Sequence, residues 1–220
     1  MELDHVFLRA TVAAPEAEQL RRFGLSEGSG NTHPGQGTAN RRFFFHNAFL
    51  ELLWIADEAE IGSATTRPTR LAEHLASDAA SPFGICFRPS AAAASKDAPP
   101  FPAWQYAPKY LPPGMTIAVA RDTPVAEPMC FFLAQATAPG TAPAGRRQPL
   151  DHPAGLREIS FIRLTVPGAR AWSSAALAAM ASGEVEMVEG AAHLLEIGFD
   201  GGLAGRVHDF RPGLPLVFRY

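Results

Sequence analysis

The strongest constraint on the fold is a short strand-like segment that recurs along the chain. HVFLRATV from residue 5, GICFRP from residue 84 and SFIRLTV from residue 160 superpose on a shared arginine, at Arg9, Arg88 and Arg163. The first and third copies also carry a glutamate in a later apolar run, Glu51 in FLELLWI and Glu196 in LLEIGF. The spacing leaves room for one β-α-β-β-β unit per copy, so a duplicated unit is the simplest account.

Local patterns in the chain agree with this repeat. The alternation over 3–10 predicts a strand, and the proline, acids and closing glycine around 15–23 predict a short helix. NRRFFF and AFLELLWI then predict a hairpin that turns at His46-Asn47. A short alanine-rich helix is predicted at SAAAASK, residues 90–96, and a further helix at ARAWSSAALAAMA.

The units suggest how the chain divides. Units over 3–56 and 83–135 are predicted to form one domain, residues 1–135. Residues 136–157 are rich in proline, glycine and alanine, which is typical of a linker. Residues 158–220 are predicted to form a third, partial unit packed on the first two.

Composition excludes several classes of function. The net charge is −3 and no run of basic residues is longer than a pair, so nucleic acid is not an expected partner. No apolar run is long enough for a membrane span, and the acidic start MELDH is unlike a secretory signal, which indicates a cytoplasmic protein. Cys86 and Cys130 lie in apolar runs and are expected to be buried free thiols.

The segment HPGQGTAN, residues 33–40, invites comparison with a phosphate-binding loop. Such a loop follows a strand and opens a helix, whereas this segment follows a predicted helix and leads into strands. Its proline and glycines suit a tight bend. We therefore interpret it as a structural bend that leads into the hairpin.

The order of LDHVFLRA, a helix, HPGQGTAN, a hairpin with FLELLWI and then FGICFR resembles the vicinal oxygen chelate superfamily, in particular its glyoxalase-like branch with an HPGxGTxN segment. The resemblance implies an α+β fold in which repeated β-α-β-β-β units form a cup-shaped mixed sheet. It also implies helices on the outer face and a small-molecule ligand inside the cup.

The resemblance assigns candidate catalytic residues. His5 matches the first-strand metal ligand and Glu51 the last-strand ligand of the family, so both are candidates for a divalent metal and for catalysis. Ordinary structural roles compete with this assignment. His5 would be a hydrogen-bonded histidine in the sheet, and Glu51 would pair across the hairpin with Arg42.

Half of the family's metal set is missing. In the second unit Gly84 stands where the histidine is expected, and Leu133 or Ala134 where the glutamate is expected. A firmly held cation needs three or four protein donors, or two together with a chelating substrate. The residues that could complete the set are Glu196, His33, His46, His152 and His193.

Two arginines are expected to face the ligand. Alternation places Arg9 on the face of His5 and Arg88 on the equivalent face of the second unit, where guanidinium groups would bind an anion; pairing with acids at the rim is the alternative. The residues predicted to bind substrate are Arg9, His33, Asn40, Arg42, Arg88 and Trp54.

Three functions are consistent with this pattern. The first is a glyoxalase-like enzyme in which Glu51 is the general base on a proton next to a carbonyl and His5 orients the oxygen or a metal. The second is a metal-free protein that binds or sequesters an aromatic or anionic molecule. The third is an interaction protein in which residues 158–220 serve assembly, for example as a homodimer.

Overall fold

A computed structural model of the chain describes residues 1–90, 98–168 and 171–220. The strands are β1 Glu2–Arg9, β2 Asn31–His33, β3 Thr38–Phe44, β4 Phe49–Ile55, β5 Phe83–Arg88, β6 Ala103–Tyr106, β7 Ile117–Ala120, β8 Met129–Phe132, β9 Ile159–Val166, β10 Val185–Glu189, β11 Leu194–Phe199, β12 Val207–Asp209 and β13 Leu216–Arg219. The α-helices are α1 Ala17–Phe23, α2 Glu58–Ile61, α3 Leu71–Ala76 and α4 Ser174–Met180.

The first eight strands form one curled sheet in the order β2-β3-β4-β1-β5-β8-β7-β6. β1 runs parallel to β4, β5 runs parallel to β8, and β1 and β5 join the two halves as an antiparallel pair. The second half therefore mirrors the first, strand for strand. This arrangement confirms the α+β prediction of repeated units that form a cup.

The remaining strands form a second sheet in the order β10-β9-β11-β13-β12. Its inner face and the convex face of the first sheet share one buried core, which includes Val6 and Leu8 of β1, Leu20 of α1, and Ile162 and Leu164 of β9. Burial of this apolar surface holds the two sheets together. The concave face of the first sheet carries a separate apolar cluster and is left to form the cup.

Most local predictions from the sequence are confirmed. The predicted strand over 3–10, helix over 15–23 and hairpin correspond to β1, α1 and the pair β3 and β4. The hairpin register puts Arg42 opposite Glu51, as a turn at His46-Asn47 requires. The predicted helix at 90–96 falls almost entirely on 91–97, outside the described residues, as does the start of the helix predicted from 169.

The HPGQGTAN segment forms the bend between β2 and β3. Gly37 adopts a φ of +80°, and a Cβ there would lie 2.4 Å from the carbonyl oxygen of Asp57. The same glycine accepts backbone hydrogen bonds from Ala56 and Asp57, which join the bend to the end of β4. Only glycine fits this backbone and this space, so the bend is structural.

In the part of the chain that the structure describes, none of the helices has the length and apolar character needed to cross a membrane.

Candidate functional site

The concave face of the first sheet encloses a cavity of about 440 Å³. That volume is in the range of small-molecule binding sites. Its apolar lining consists of Phe7, Phe44, Phe49, Leu53, Leu71, Leu111, Ile117, Val119, Met129, Phe131, Leu133, Ala136, Pro139 and Ala142. Its polar lining consists of Asp4, His5, His33, Gln36, Asn40, Arg42, Glu51, Thr69, Tyr106, Tyr110, Gln135, Thr137, Arg146 and Gln148.

His5 lies on β1, and a β-bulge brings the preceding acid to the same side. The register between β1 and β5 shifts between Leu3 and His5, so Asp4 and His5 both line the cavity. Asp4 Oδ1 lies 2.7 Å from His5 Nδ1, and the imidazole stacks on Phe49 with 4.3 Å between ring centroids. Regular alternation would have placed Asp4 on the outer face, which is why the sequence pattern missed it.

Glu51 approaches the same imidazole from β4. Its Oε2 lies 3.5 Å from His5 Nε2, while its Oε1 accepts a hydrogen bond of 2.6 Å from Asn40 Nδ2. Asn40 Oδ1 in turn accepts from the backbone N–H of Asn31 at 2.7 Å. Since all of these side chains except that of Asn31 are buried, the carboxylate is held in one orientation. His5 thus lies between two carboxylates, one at each ring nitrogen.

The bend contributes a second polar group to the cavity. His33 Nδ1 lies 2.8 Å from Thr38 Oγ1, and Gln36 Nε2 donates to the same oxygen at 2.8 Å. The His33 ring packs 4.8 Å from the ring of Tyr110, a residue that the sequence pattern did not single out. Burial lowers the pKa of His33, and the charge of Glu51 only partly opposes that shift, so His33 is neutral near pH 7.

Arg42 lies at the edge of the cavity next to an aromatic wall formed by Phe44, Phe49 and Phe131. Its Cζ lies 5.0 Å from the centroid of the Phe44 ring, and its Nε donates to the carbonyl oxygen of Ser29 at 2.8 Å. The guanidinium therefore binds Ser29 instead of forming the expected cross-strand salt bridge with Glu51. Burial lowers the pKa of Arg42, but the group stays cationic at any physiological pH.

Two residues predicted to contact the ligand lie elsewhere. Arg9 is on the cup side of β1, but α3 and the turn after it close this end of the cup. Arg9 donates there to the carbonyl oxygen of Ser77 and to Asp78 Oδ1, at 2.8 and 2.7 Å. Trp54 is on β4, an odd number of residues from Glu51, so it points to the convex face and packs on the core between the sheets.

Arg88 and Glu196 also lie away from the cavity. Arg88 is buried behind Asp4, donates to the carbonyl oxygen of Leu3 at 2.6 Å, and has its Nη1 at 3.6 Å from Asp4 Oδ2. Glu196 is on β11 in the second sheet, where it pairs with Arg219 at 2.6 Å. It cannot complete a metal site at His5 and Glu51, because a different sheet carries it.

The donors present do not fit a firmly held metal ion. Ligand atoms of Asp4, His5 and Cys86 lie within 4.8 Å of one another, and Cys86 stands opposite His5 on β5. A cation there would have to displace the hydrogen bond between Asp4 and His5. Burial and the nearby carboxylates also raise the pKa of Cys86 well above its ordinary value, which disfavours the thiolate that binds metals.

Gly84 cannot be replaced by a donor without rearrangement. A Cβ at this position would lie 2.0 Å from Cε1 of Phe7, so the phenyl ring fills the space that a side chain would need. The position at which the resemblance implied a second-unit histidine therefore has no room for a side chain unless Phe7 moves. Within the described residues, His5 and Glu51 remain a two-donor set, and we derive no metal-dependent step.

The mouth of the cavity is formed by the segment that the sequence pattern identified as a linker. Thr137, Arg146 and Gln148 of this segment line the cavity, together with Gln135 just before it. Gln148 Oε1 also accepts a 2.9 Å hydrogen bond from the backbone of residue 29, which ties the segment to the first unit. Composition gave no sign of this role, because proline, glycine and alanine are equally common in linkers and in ordered extended segments.

A curled sheet of two matching sets of four strands, with ionisable side chains and a cavity on its concave face, is the fold of the vicinal oxygen chelate class of proteins. Residues 3–180 match the model of a family described as a glyoxalase-like domain. The match covers most of the chain, so this protein belongs to the glyoxalase-like domain family.

Solved structures agree on the fold. A hypothetical protein from Staphylococcus aureus matches with a TM-score of 0.52 and 11% sequence identity, over 99% of this chain and 98% of that one. At this identity the similarity concerns the fold alone. A comparison with curated proteins finds no match.

Proposed function

We propose that this protein is an enzyme that moves a proton next to the carbonyl group of a small, largely apolar molecule bound in the cup. The observation that carries the proposal is the pair formed by His5 Nε2 and Glu51 Oε2, 3.5 Å apart inside a mostly apolar cavity. Glu51 is the base, and His5 is the acid that serves the carbonyl oxygen.

The proposed roles of the pair require particular protons on the His5 ring. With a proton on Nδ1, shared with Asp4, a neutral His5 would point a lone pair at the ionised Glu51. The acid role proposed for His5 therefore requires a second proton, on Nε2, and Glu51 lies close enough to compensate the charge of that imidazolium. Behind the imidazole, Arg88 lies 3.6 Å from Asp4 and 3.1 Å from Glu2, and its charge compensates both carboxylates.

Such a pair offers an acid and a base together. The Glu51 carboxylate takes the proton from the carbon next to the carbonyl, and the electrons of the broken C–H bond form a C=C bond. The carbonyl oxygen takes the Nε2 proton from His5, which gives an enol. Return of a proton from Glu51 to the same carbon, and of the enol proton to His5, regenerates the carbonyl compound with its proton exchanged. Where a C=C bond is conjugated with the enol, return of the proton to the far carbon of that bond shifts the double bond instead, and neither route needs an external oxidant.

The position of Arg42 favours a substrate that carries an anionic group. It remains cationic at the cavity edge and is fixed by Ser29 and by the Phe44 ring. A guanidinium in this position suits a carboxylate or phosphate. The substrate class is therefore a carbonyl compound with an apolar body and one acidic group.

The test is exchange of the substrate proton with D₂O, followed by proton NMR. We expect the EDTA-treated protein to catalyse exchange at C3 of 2-oxo-4-phenylbutanoate or a related 2-oxoacid. We expect Glu51→Gln to slow that exchange by about 10²- to 10⁴-fold, because the amide is not a base. Glu196→Gln is the matched control: it changes a buried glutamate in a strand of the other sheet and should retain the activity.

Two results would contradict the proposal. One is exchange by Glu51→Gln at the rate of the unaltered protein. The other is exchange that appears only after a divalent metal is restored, because the step described above uses none.

The aromatic wall favours a second candidate, metal-free binding or sequestration without turnover. Phe44, Phe49 and Phe131 all line the cavity and can hold a planar ligand without any reaction. Ligand-induced thermal stabilisation that is equal in the unaltered protein and in Glu51→Gln, with no proton exchange, would support this function over catalysis.

A further inference from the structure

We propose that Asp4 is a positioning residue for His5 and that Arg88 holds Asp4 in place for this purpose. The inference rests on the proposed function, since it explains how His5 presents its Nε2 to Glu51 and the substrate. The β-bulge in β1 brings Asp4 next to His5, and the effect of Asp4 on the reaction passes entirely through His5.

The first argument is geometric. Asp4 Oδ1 lies 2.7 Å from His5 Nδ1, and an ionised carboxylate only accepts hydrogen bonds, so the proton of this contact belongs to Nδ1. The other ring nitrogen, Nε2, is then the one directed at Glu51, 3.5 Å away. With the proton on Nε2 alone, Nδ1 would face the carboxylate with a lone pair. The contact thus selects one tautomer.

The second argument is burial. Asp4 and Arg88 are each only 4% exposed. A buried carboxylate is costly unless a charge or hydrogen bonds compensate it, and Arg88 supplies the charge at 3.6 Å. Arg88 also donates to the carbonyl oxygen of Leu3 at 2.6 Å, one residue before the bulge, and to Glu2 Oε2 at 3.1 Å, so it compensates two carboxylates. Arg88 therefore links the backbone just before the β-bulge to Asp4, the residue that the bulge turns toward the cavity.

The arrangement forms a continuous series from the protein interior to the cavity. Arg88 contacts Asp4, Asp4 contacts His5, His5 faces Glu51, and Asn40 holds the far oxygen of Glu51 at 2.6 Å. If the ion pair of Arg88 and Asp4 had only a structural role, Asp4 would not need to contact an imidazole that lines the cavity. Here Asp4, His5, Glu51 and Asn40 all line the cavity and Arg88 does not.

The primary test reads the His5 tautomer directly. The full-length protein, labelled with ¹⁵N and treated with EDTA, is measured by ¹H–¹⁵N NMR of the histidine rings, and the His5 signals are assigned by their loss in His5→Gln. We expect Nδ1 of His5 to carry a proton in a hydrogen bond. A spectrum of the unaltered protein with Nδ1 unprotonated would overturn the proposal without any variant.

Asp4→Asn then tests the cause. An asparagine can turn its amide N–H toward Nδ1, so we expect Nδ1 to lose its proton and proton exchange to fall by up to about 10⁴-fold. Asp78→Asn is the matched control, an arginine-paired aspartate whose side chain is 98% exposed, and should leave the His5 signals unchanged. Asp4→Asn spectra and rates equal to those of the unaltered protein would refute the positioning role.

The two proposals fail separately. If the Nδ1 proton depends on Asp4 but Glu51→Gln has no effect on exchange, the tautomer assignment holds and the proposed reaction is wrong. If Glu51→Gln is inactive but the Nδ1 proton is missing in the unaltered protein, the reaction holds and the role of Asp4 is wrong.

Discussion

Replacing Gly84 by alanine would force a methyl group into the aromatic wall of the cup. The new Cβ would lie 2.0 Å from Cε1 and 2.5 Å from Cζ of Phe7, whose side chain is only 2% exposed. Gly84 has no positive φ, so alanine suits the backbone and the overlap with the ring is the whole cost. Overpacking of this kind destabilises a core by about 1–3 kcal/mol.

The second sheet contains a natural control for this substitution. Gly198 on β11 faces Phe161 on β9 in the same way, and a Cβ there would also lie 2.0 Å from Cε1 of the ring. Phe161 is only half-buried, so its ring can turn toward solvent. We expect Gly198→Ala to cost about 1 kcal/mol or less. The entropic effect of adding a Cβ in the unfolded chain is common to both variants and cancels in the comparison.

Urea unfolding and thermal scans measure the difference. One kcal/mol corresponds to about 2–4 °C in Tm for a chain of this length. Phe7→Leu should recover part of the stability lost in Gly84→Ala, since the smaller side chain vacates the overlap, and a double-mutant cycle isolates that coupling. Equal stability of Gly84→Ala and Gly198→Ala, or a cycle without coupling, would refute the steric argument.

Two further predictions concern the junction between the sheets and the effect of pH. Asn47 exchanges two hydrogen bonds with the backbone of Ile159, of 2.7 and 2.9 Å, so Asn47→Ala should lower the free energy of unfolding by about 1–3 kcal/mol; an unchanged urea midpoint would contradict this. Burial lowers the pKa of both His33 and His74 in the folded protein. In the unfolded chain these histidines have their ordinary pKa of about 6.5, so below about pH 7 the unfolded chain binds more protons than the folded chain. Stability should therefore fall as the pH drops from about 7 toward the folded-state pKa values, and then level off for these groups. Urea midpoints that fall equally with pH in His33→Gln, His74→Gln and the unaltered protein would show that other groups cause the decline.

Much of the local structure was accessible from the sequence. The period of two in LDHVFLRA, the glycines of HPGQGTAN and the spacing across His46-Asn47 all depend on neighbouring residues and short-range backbone geometry. For that reason the hairpin register, with Arg42 opposite Glu51, could be predicted correctly. The same reasoning could not foresee that the Arg42 side chain would turn to Ser29, because that contact depends on the path of a loop.

The candidate site was only partly accessible. His5, His33, Asn40, Arg42 and Glu51 were singled out, and all of them line the cavity. Arg9 and Arg88 were placed on the correct face, but neither reaches the cavity. Arg9 is held by the turn after α3 at one end of the cup, and Asp4 lies between Arg88 and the cavity at the other.

By itself, the sequence determined the repeated units, the bend before the hairpin, and the presence of one histidine and one glutamate on the concave face. Strand periodicity and the conformational demands of glycine and proline are local, and they are readable in the order of residues. Only the tertiary structure decided what surrounds that pair. The bulge that turns Asp4 toward His5 arises from the pairing of β1 with β5, the Phe7 ring occupies the space next to Gly84, and the segment after residue 134 folds back over the mouth. These contacts join residues far apart in the chain, and packing, not local preference, selects them.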